Sequence, residues 1–103
     1  MKPLERLEKL NTSDCLWVYI LSILNKTPMH AYAVRKEVEK RFGFTPGNVT
    51  SYKVLYLLKR NGYVSKSKYG RTIVYDITTD GKKELKKAAG FYRSLAQKLE
   101  ARK

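Results

Sequence analysis

Residues 48–81 read NVTSYKVLYLLKRNGYVSKSKYGRTIVYDITTDG, and the hydrophobic period changes once along this stretch. From Asn48 to Arg60 the pattern is helical. At about 100° per residue, Ser51, Tyr52, Val54, Leu55 and Leu58 fall on one broad side, expected to pack on a core. Val49, Thr50, Lys53, Tyr56, Leu57 and Arg60 fall on the other. Asn61-Gly62 then supplies helix-ending chemistry. Tyr63-Val64-Ser65 reads as one strand and Thr72 to Ile77 as a second. Ile73, Tyr75 and Ile77 share one face of the second strand; Thr72, Val74 and Asp76 share the other. Lys66 to Arg71 is expected as a basic hairpin tip. Thr78-Thr79-Asp80 caps a final helix that runs to about Glu100.

Upstream, Leu4, Leu7 and Leu10 recur at helical spacing and predict a short amphipathic helix. Asn11 to Asp14 offer caps for a second helix, about Asp14 to Asn25, whose apolar surroundings on most sides mark it as the buried centre. Thr27-Pro28 breaks the chain. Pro28 suits the first turn of a third helix that runs to about Phe42, with a stripe of Ala31, Val34, Val38 and Phe42. Arg35, Lys36, Glu37, Glu39 and Lys40 are expected to face out. Gly43 to Gly47, with Pro46, is a turn. The order is four helices, a hairpin and a helix. The fold class is mainly α with a small β-hairpin wing: a winged helix-turn-helix with an N-terminal helix and a long C-terminal dimerisation helix. The expected organisation is an N-terminal extension at 1–12, a winged-helix domain at 13–78 and a dimerisation helix at 79–103.

Composition narrows the function. A chain of 103 residues makes one small domain with one modest core, to which a dimer interface can add. The longest apolar run, Cys15 to Leu24, falls well short of the roughly 20 residues that span a bilayer, so no membrane partner is expected. It does not read as a signal peptide either. A single cysteine excludes an intramolecular disulfide and suits a reducing cytoplasm. One histidine with one cysteine argues against a structural zinc site. The net charge of +13 is uneven. Residues 1–39 hold six bases and five acids, and residues 76–103 hold eight and four. Residues 40–75 hold eight bases (Lys40, Arg41, Lys53, Lys59, Arg60, Lys66, Lys68, Arg71) and no acid. A solvated surface normally mixes both signs. An acidic polymer fits this stretch better, because each neutralised phosphate releases a counterion. Anionic lipid and an acidic protein are the other partners the charge allows.

Four pieces of the chain carry a family resemblance. Pro28-Met29-His30-Ala31-Tyr32 is similar to the Pro-x-His-Gly-Tyr segment of PadR-family winged-helix regulators. Tyr52-x-x-Leu55-x-x-Leu58-x-x-x-Gly62-Tyr63-Val64 is similar to that family's recognition helix and first wing strand. Tyr75-Asp76-Ile77-Thr78-Thr79-Asp80-Gly81 is similar to its second wing strand and helix cap, and the single final helix to its short branch. The match covers about residues 13–100. Three positions depart from it. Ala31 stands where Gly is usual, Ser51 where a core Leu is usual, and Tyr56-Leu57 where a basic pair is common. The resemblance implies a transcriptional regulator that binds double-stranded DNA. It also implies a Tyr52 hydroxyl near the DNA backbone. Some members take small aromatic effectors at the dimer interface. Trp17 lies outside the final helix, so a tryptophan-lined pocket between final helices is not expected.

The residues themselves assign roles. A recognition helix presents its N-terminal residues to base edges, so Asn48, Thr50 and Lys53 are the expected base contacts. Helix capping is the plainer role for Asn48 and Thr50. Tyr56 can stack or reach a phosphate. Leu57 is expected to pack under another segment, such as the N-terminal helix. Lys66, Lys68 and Arg71 suit phosphates or the minor groove, Arg71 best of all. Tyr69 can pack on a sugar or fill the turn. His30 is expected to cap its helix, with a phosphate contact as its second role. Leu85, Ala88, Tyr92, Leu95 and Leu99 are spaced 3, 4, 3, 4, an a/d seam for a homodimer that Leu4, Leu7 and Leu10 of the partner would cover. Two such protomers suit a palindromic operator about one DNA turn apart. Trp17 and Cys15 read as core residues, with the thiol a redox sensor if exposed. No Gly-rich phosphate loop, activated nucleophile or paired-carboxylate motif is present, so neither an enzyme nor a cofactor is expected. The leading function is a cytoplasmic, nucleoid-associated regulator that represses by occluding a promoter. The competing functions are an architectural DNA-binding protein and a winged-helix protein-interaction module.

Overall fold

The computed structural model describes residues 2–102. Five α-helices and one hairpin follow each other along the chain: α1 (Pro3–Leu10), α2 (Leu16–Leu24), α3 (Ala31–Phe42), α4 (Asn48–Arg60), β1 (Val64–Tyr69), β2 (Thr72–Ile77) and α5 (Thr79–Glu100). This is the expected mainly helical fold with a two-stranded wing. The core forms around α2. Leu16, Ile20, Leu21, Ile23 and Leu24 are almost fully buried and meet Val34 and Val38 of α3, Leu55 and Leu58 of α4, and Val64, Tyr75 and Ile77 of the wing. A helix that is apolar on most sides must be covered on most sides, and α2 is.

Three local expectations change. The second helix starts later than Asp14, because Ser13–Cys15 forms a separate 3₁₀ turn before α2. Pro28 lies ahead of α3 rather than in its first turn. The adjoining Met29 forms an antiparallel bridge with Tyr75, with reciprocal N–H to O bonds of 3.1 and 2.9 Å. The wing thus gains a one-residue third strand that ties the segment before α3 to β2. Finally, β1 continues to Tyr69, so Lys66, Lys68 and Tyr69 are strand residues rather than parts of a tip. The turn is Gly70-Arg71 alone, with Gly70 at φ 61°, the left-handed value that a two-residue hairpin requires at its first position.

Caps hold the elements at their ends. His30 Nδ1 accepts the Ala33 N–H at 3.2 Å, which caps α3 as expected. After α4 the Tyr63 N–H donates to Leu58 O and the Gly62 N–H to Lys59 O, at 2.9 and 3.1 Å. That is the reciprocal pattern of a Schellman end. Thr78 joins this end to α5. Its hydroxyl accepts from the Gly81 N–H at 3.0 Å and donates to Gly62 O at 2.6 Å. A Cβ at Gly81 would lie 2.1 Å from Tyr63 O and 2.7 Å from Ile77 Cγ1, so only glycine fits. The start of α5 is thereby fixed against the core by backbone. The helix then extends about 33 Å at 1.5 Å per residue. Its far half leaves the domain, and the molecule measures 58 × 31 × 21 Å.

Candidate nucleic-acid interface

Two polar contacts set the approach to α4. Arg35 Nε on α3 donates to Pro46 O at 2.6 Å, and Ser51 Oγ donates to Gly47 O at 2.7 Å. Arg35 is therefore half-buried and fastens the turn between the two helices, where the sequence pattern placed it in solvent. Ser51 is buried without cost to its hydroxyl, which explains how it occupies a core position usually held by leucine. Gly47 is the N-cap residue of α4, so Asn48 is its first helical residue and not its cap.

Asn48, Thr50, Tyr52, Lys53, Tyr56, Lys66, Lys68, Tyr69 and Arg71 are all exposed. Tyr52 corrects an expectation. Its helical angle put it with the core set, yet it is 56% exposed and lies over the space between α4 and the wing. The nine residues also divide. Thr50 and Lys53 border a cleft of about 460 Å³, together with Trp17, Val54 and Leu57. Leu57 thus turns toward the start of α2, not toward the N-terminal helix as expected. Trp17 is half-buried on the core and lines the same cleft. On the hairpin, Lys66 pairs with Tyr75 and Lys68 with Ile73, so both lysines share that sheet face. Tyr69 pairs with Thr72 and belongs to the opposite face. A second cleft of about 390 Å³ gathers His30, Tyr32, Tyr52, Arg71, Ile73 and Tyr75. Burial raises the Tyr75 pKa above its ordinary 10, with Tyr52 adding to the effect, so the hydroxyl stays protonated. Sequence reasoning gave Tyr32 and Ile73 no role. The available signal was the tyrosine of the Pro28-to-Tyr32 segment, which has no stripe position on α3.

The charge is unneutralised. Among the described residues the one ion pair is Lys87 with Glu84, at 3.1 Å on α5, and Glu84 also borders the cleft beside Lys53. All eight bases of the acid-free stretch are exposed. They do not share one face, however. Arg41 borders a separate hollow with Ile23, Met29 and Glu37.

A second surface has the opposite chemistry. Leu4, Leu7 and Leu10 are 65, 56 and 46% exposed, and α1 has no buried residue. The α5 stripe is used in two ways. Leu85 is half-buried against the core and Ala88 is buried. Leu95 and Leu99 are 41 and 76% exposed. They line a groove of about 470 Å³ with Leu7, Tyr19, Tyr92 and Ala96. Burial raises the pKa values of Tyr19 and Tyr92 above 10, and the neighbouring Cys15 adds to both shifts. Phe91 is 63% exposed beside Tyr92 and lay off the expected seam. Among the described residues no helix is long and apolar enough to cross a membrane.

Comparison with known proteins identifies the family and the fold. The model of the family described as "Transcriptional regulator PadR-like family" matches residues 20–87. No curated protein matches the chain. Among solved structures, a PadR-like transcription factor of Bacteroides fragilis superposes with a TM-score of 0.76 at 17% identity, covering 91% of this chain and 95% of that one. RosR of H. salinarum gives 0.69 at 25% identity, covering 78% and 74%. F93 from STIV, a winged-helix DNA-binding protein, gives 0.69 at 17% identity, covering 84% and 91%.

Proposed function

The chain belongs to the PadR-like family of transcriptional regulators, which are DNA-binding transcription factors rather than enzymes, and from that premise we propose that it is a homodimeric repressor of a palindromic operator. The observation that carries this reading is the exposure of Lys53, Lys66, Lys68 and Arg71 on α4 and the wing, where none of them forms an ion pair among the described residues. Phosphate neutralisation by such cations supplies affinity, and helix side chains in the major groove supply sequence discrimination. In this reading Asn48, Thr50 and Lys53 meet base edges. Tyr52 and Tyr56 meet the backbone at the sides of the groove. Lys66, Lys68, Tyr69 and Arg71 carry the wing along the backbone, with Arg71 at the minor groove.

The homodimer rests on the apolar groove between α1 and the far half of α5. Leu4, Leu7, Tyr92, Leu95 and Leu99 form the patch in this reading, while Leu85 and Ala88 support it from within the protomer. A two-fold pair makes a self-complementary interface, and two recognition helices then read two half-sites. Repression follows from occlusion of a promoter, and the site of action is the cytoplasm. A small aromatic effector remains compatible with the cleft beside Trp17.

Selection from a random duplex library tests the reading, with the enriched site compared against scrambled DNA at fixed salt. A palindromic motif bound about a thousandfold tighter than scramble supports the sequence-specific dimer. Tight binding without a motif replaces it with the architectural function, and absence of binding with the protein-interaction module.

A further inference from the structure

The face of α5 that turns away from the core carries charge that the proposed function does not use. At about 100° per residue, Lys82, Lys86 and Arg93 fall on one stripe of the helix, with Ala89 and Gln97 as its neutral members. All of these residues are exposed. The three cations form no ion pair among the described residues, since the pair on this helix is Lys87 with Glu84. No carboxylate stands on the stripe from Lys82 to Gln97, and Glu100 comes only at its far end. Glu84 fixes the direction of the stripe. It borders the cleft shared by Thr50 and Lys53, so that side of α5 faces α4. Lys82, Lys86 and Arg93 lie about 160–180° round α5 from Glu84. They face away from the surface through which Lys53 meets DNA in the proposed function, with the body of α5 in between.

The neutral members of the stripe narrow its partner. A membrane surface is held by apolar side chains as well as charge, and a protein interface by large buried anchors. Ala89 and Gln97 supply neither. The phosphates of a duplex need only cations, because each one neutralised releases a counterion. Lys82 and Arg93 are about 17 Å apart along the helix axis, and over that length one DNA strand carries about five phosphates. Ala89 leaves a low point between Lys86 and Arg93 where a backbone can approach. We propose that this stripe is a second DNA site without sequence preference, which holds a duplex other than the one read by α4. The protein then joins two duplexes. The inference rests on DNA binding by α4 and the wing and adds a second valence to it. The joint at Thr78 and Gly81 fixes α5 to the domain, so the two duplexes are held at a set separation.

The test uses the full chain, with the selected duplex fixed to beads and a labelled duplex of scrambled sequence in solution. Protein is added below the amount of fixed duplex, unbound protein is washed away, and the retained label is measured against salt. The parent should retain the second duplex at low salt and release it steeply as salt rises. The chain carrying Lys82→Gln, Lys86→Gln and Arg93→Gln changes only exposed side chains. It should bind a short selected duplex within about twofold of the parent and retain at least about tenfold less of the second duplex. The salt slope of that second step should fall by up to about three per protomer. Equal retention by parent and variant overturns the proposal, since both keep their recognition helices and wings. So does an equal loss on both duplexes, which would place the stripe on the duplex that α4 reads. A parent that retains no second duplex but sediments with phosphatidylserine vesicles makes the stripe a lipid contact and overturns it as well. Absence of any DNA binding by the parent overturns the proposal and the proposed function together, while binding of the selected duplex without retention of the second overturns the second site alone.

Discussion

The α4–wing face and the α1–α5 groove lie on the same small molecule, and each exposes what the other lacks. The first presents Lys53, Lys66, Lys68 and Arg71 to solvent; the second presents Leu7, Leu95 and Leu99, and Leu4 and Leu10 are exposed elsewhere on α1. Water solvates an ammonium or guanidinium fully, so the cationic face is stable in an isolated protomer. Its excess charge is a property held ready for a polyanion. An exposed leucine is different. Covering one contributes about 1.5–3 kcal/mol, and three lining one groove make a patch that water does not favour. In the proposed function the charged face sets what the protein binds, and the apolar groove sets how many copies bind together. Both faces depend on the joint at Thr78 and Gly81, where the end of α4 and the start of α5 touch through backbone.

The largest expected effect breaks that joint. Gly81→Ala should lower the unfolding free energy by at least about 3 kcal/mol in urea titration, because the added Cβ meets Tyr63 O, a backbone atom with no rotamer to change. A loss under about 1 kcal/mol would show that α5 can slide and that the two faces are less firmly linked. Next comes the groove. Leu95→Asp with Leu99→Asp should leave the domain folded and weaken dimerisation by at least about a hundredfold in sedimentation, since each change counts twice across a two-fold interface. A dimer that survives would move the interface off this groove.

Smaller effects sharpen the cationic face. Lys53→Ala should cost about 1–3 kcal/mol on the selected site and less on scramble; equal losses would make it a phosphate contact. Lys66→Ala with Lys68→Ala should lower the salt slope by about two per protomer with little change in sequence preference. The smallest effect separates the faces by pH. Tyr19 and Tyr92 in the groove have pKa values raised by burial, so the fold favours their protonated forms. Their contribution is intact below about pH 10 and is lost as pH rises through the raised values. Tyr92→Phe should flatten the fall in stability above pH 10 seen by circular dichroism, while an unchanged curve would assign alkaline sensitivity to Tyr19 or to Tyr75 beside the wing.

Elements whose signals are local were legible in the sequence. The bounds of α4, the caps at His30 and Thr78, and the α4 ending at Asn61-Gly62 each depend on residues within a turn of one another. The burial of α2 followed from an apolar run too uniform to face water. The hairpin tip was drawn too long because Lys66-Ser67-Lys68 has weak strand propensity; pairing with Thr72–Ile77 overrides it. Tyr52 was misplaced because a broad helical side spans more angle than the core of a small domain covers.

By itself, the sequence determined the order of elements, the amphipathic periods, the caps and the acid-free stretch, since each is a property of neighbours along the chain. Only the tertiary structure decided which of those features stay free. It joined Met29 to Tyr75 and Arg35 to Pro46, set Gly81 against Tyr63, and divided one leucine stripe between the domain core and an open groove. Those outcomes depend on distances between residues far apart in the chain. A periodic pattern states that a face will be covered, but not by what.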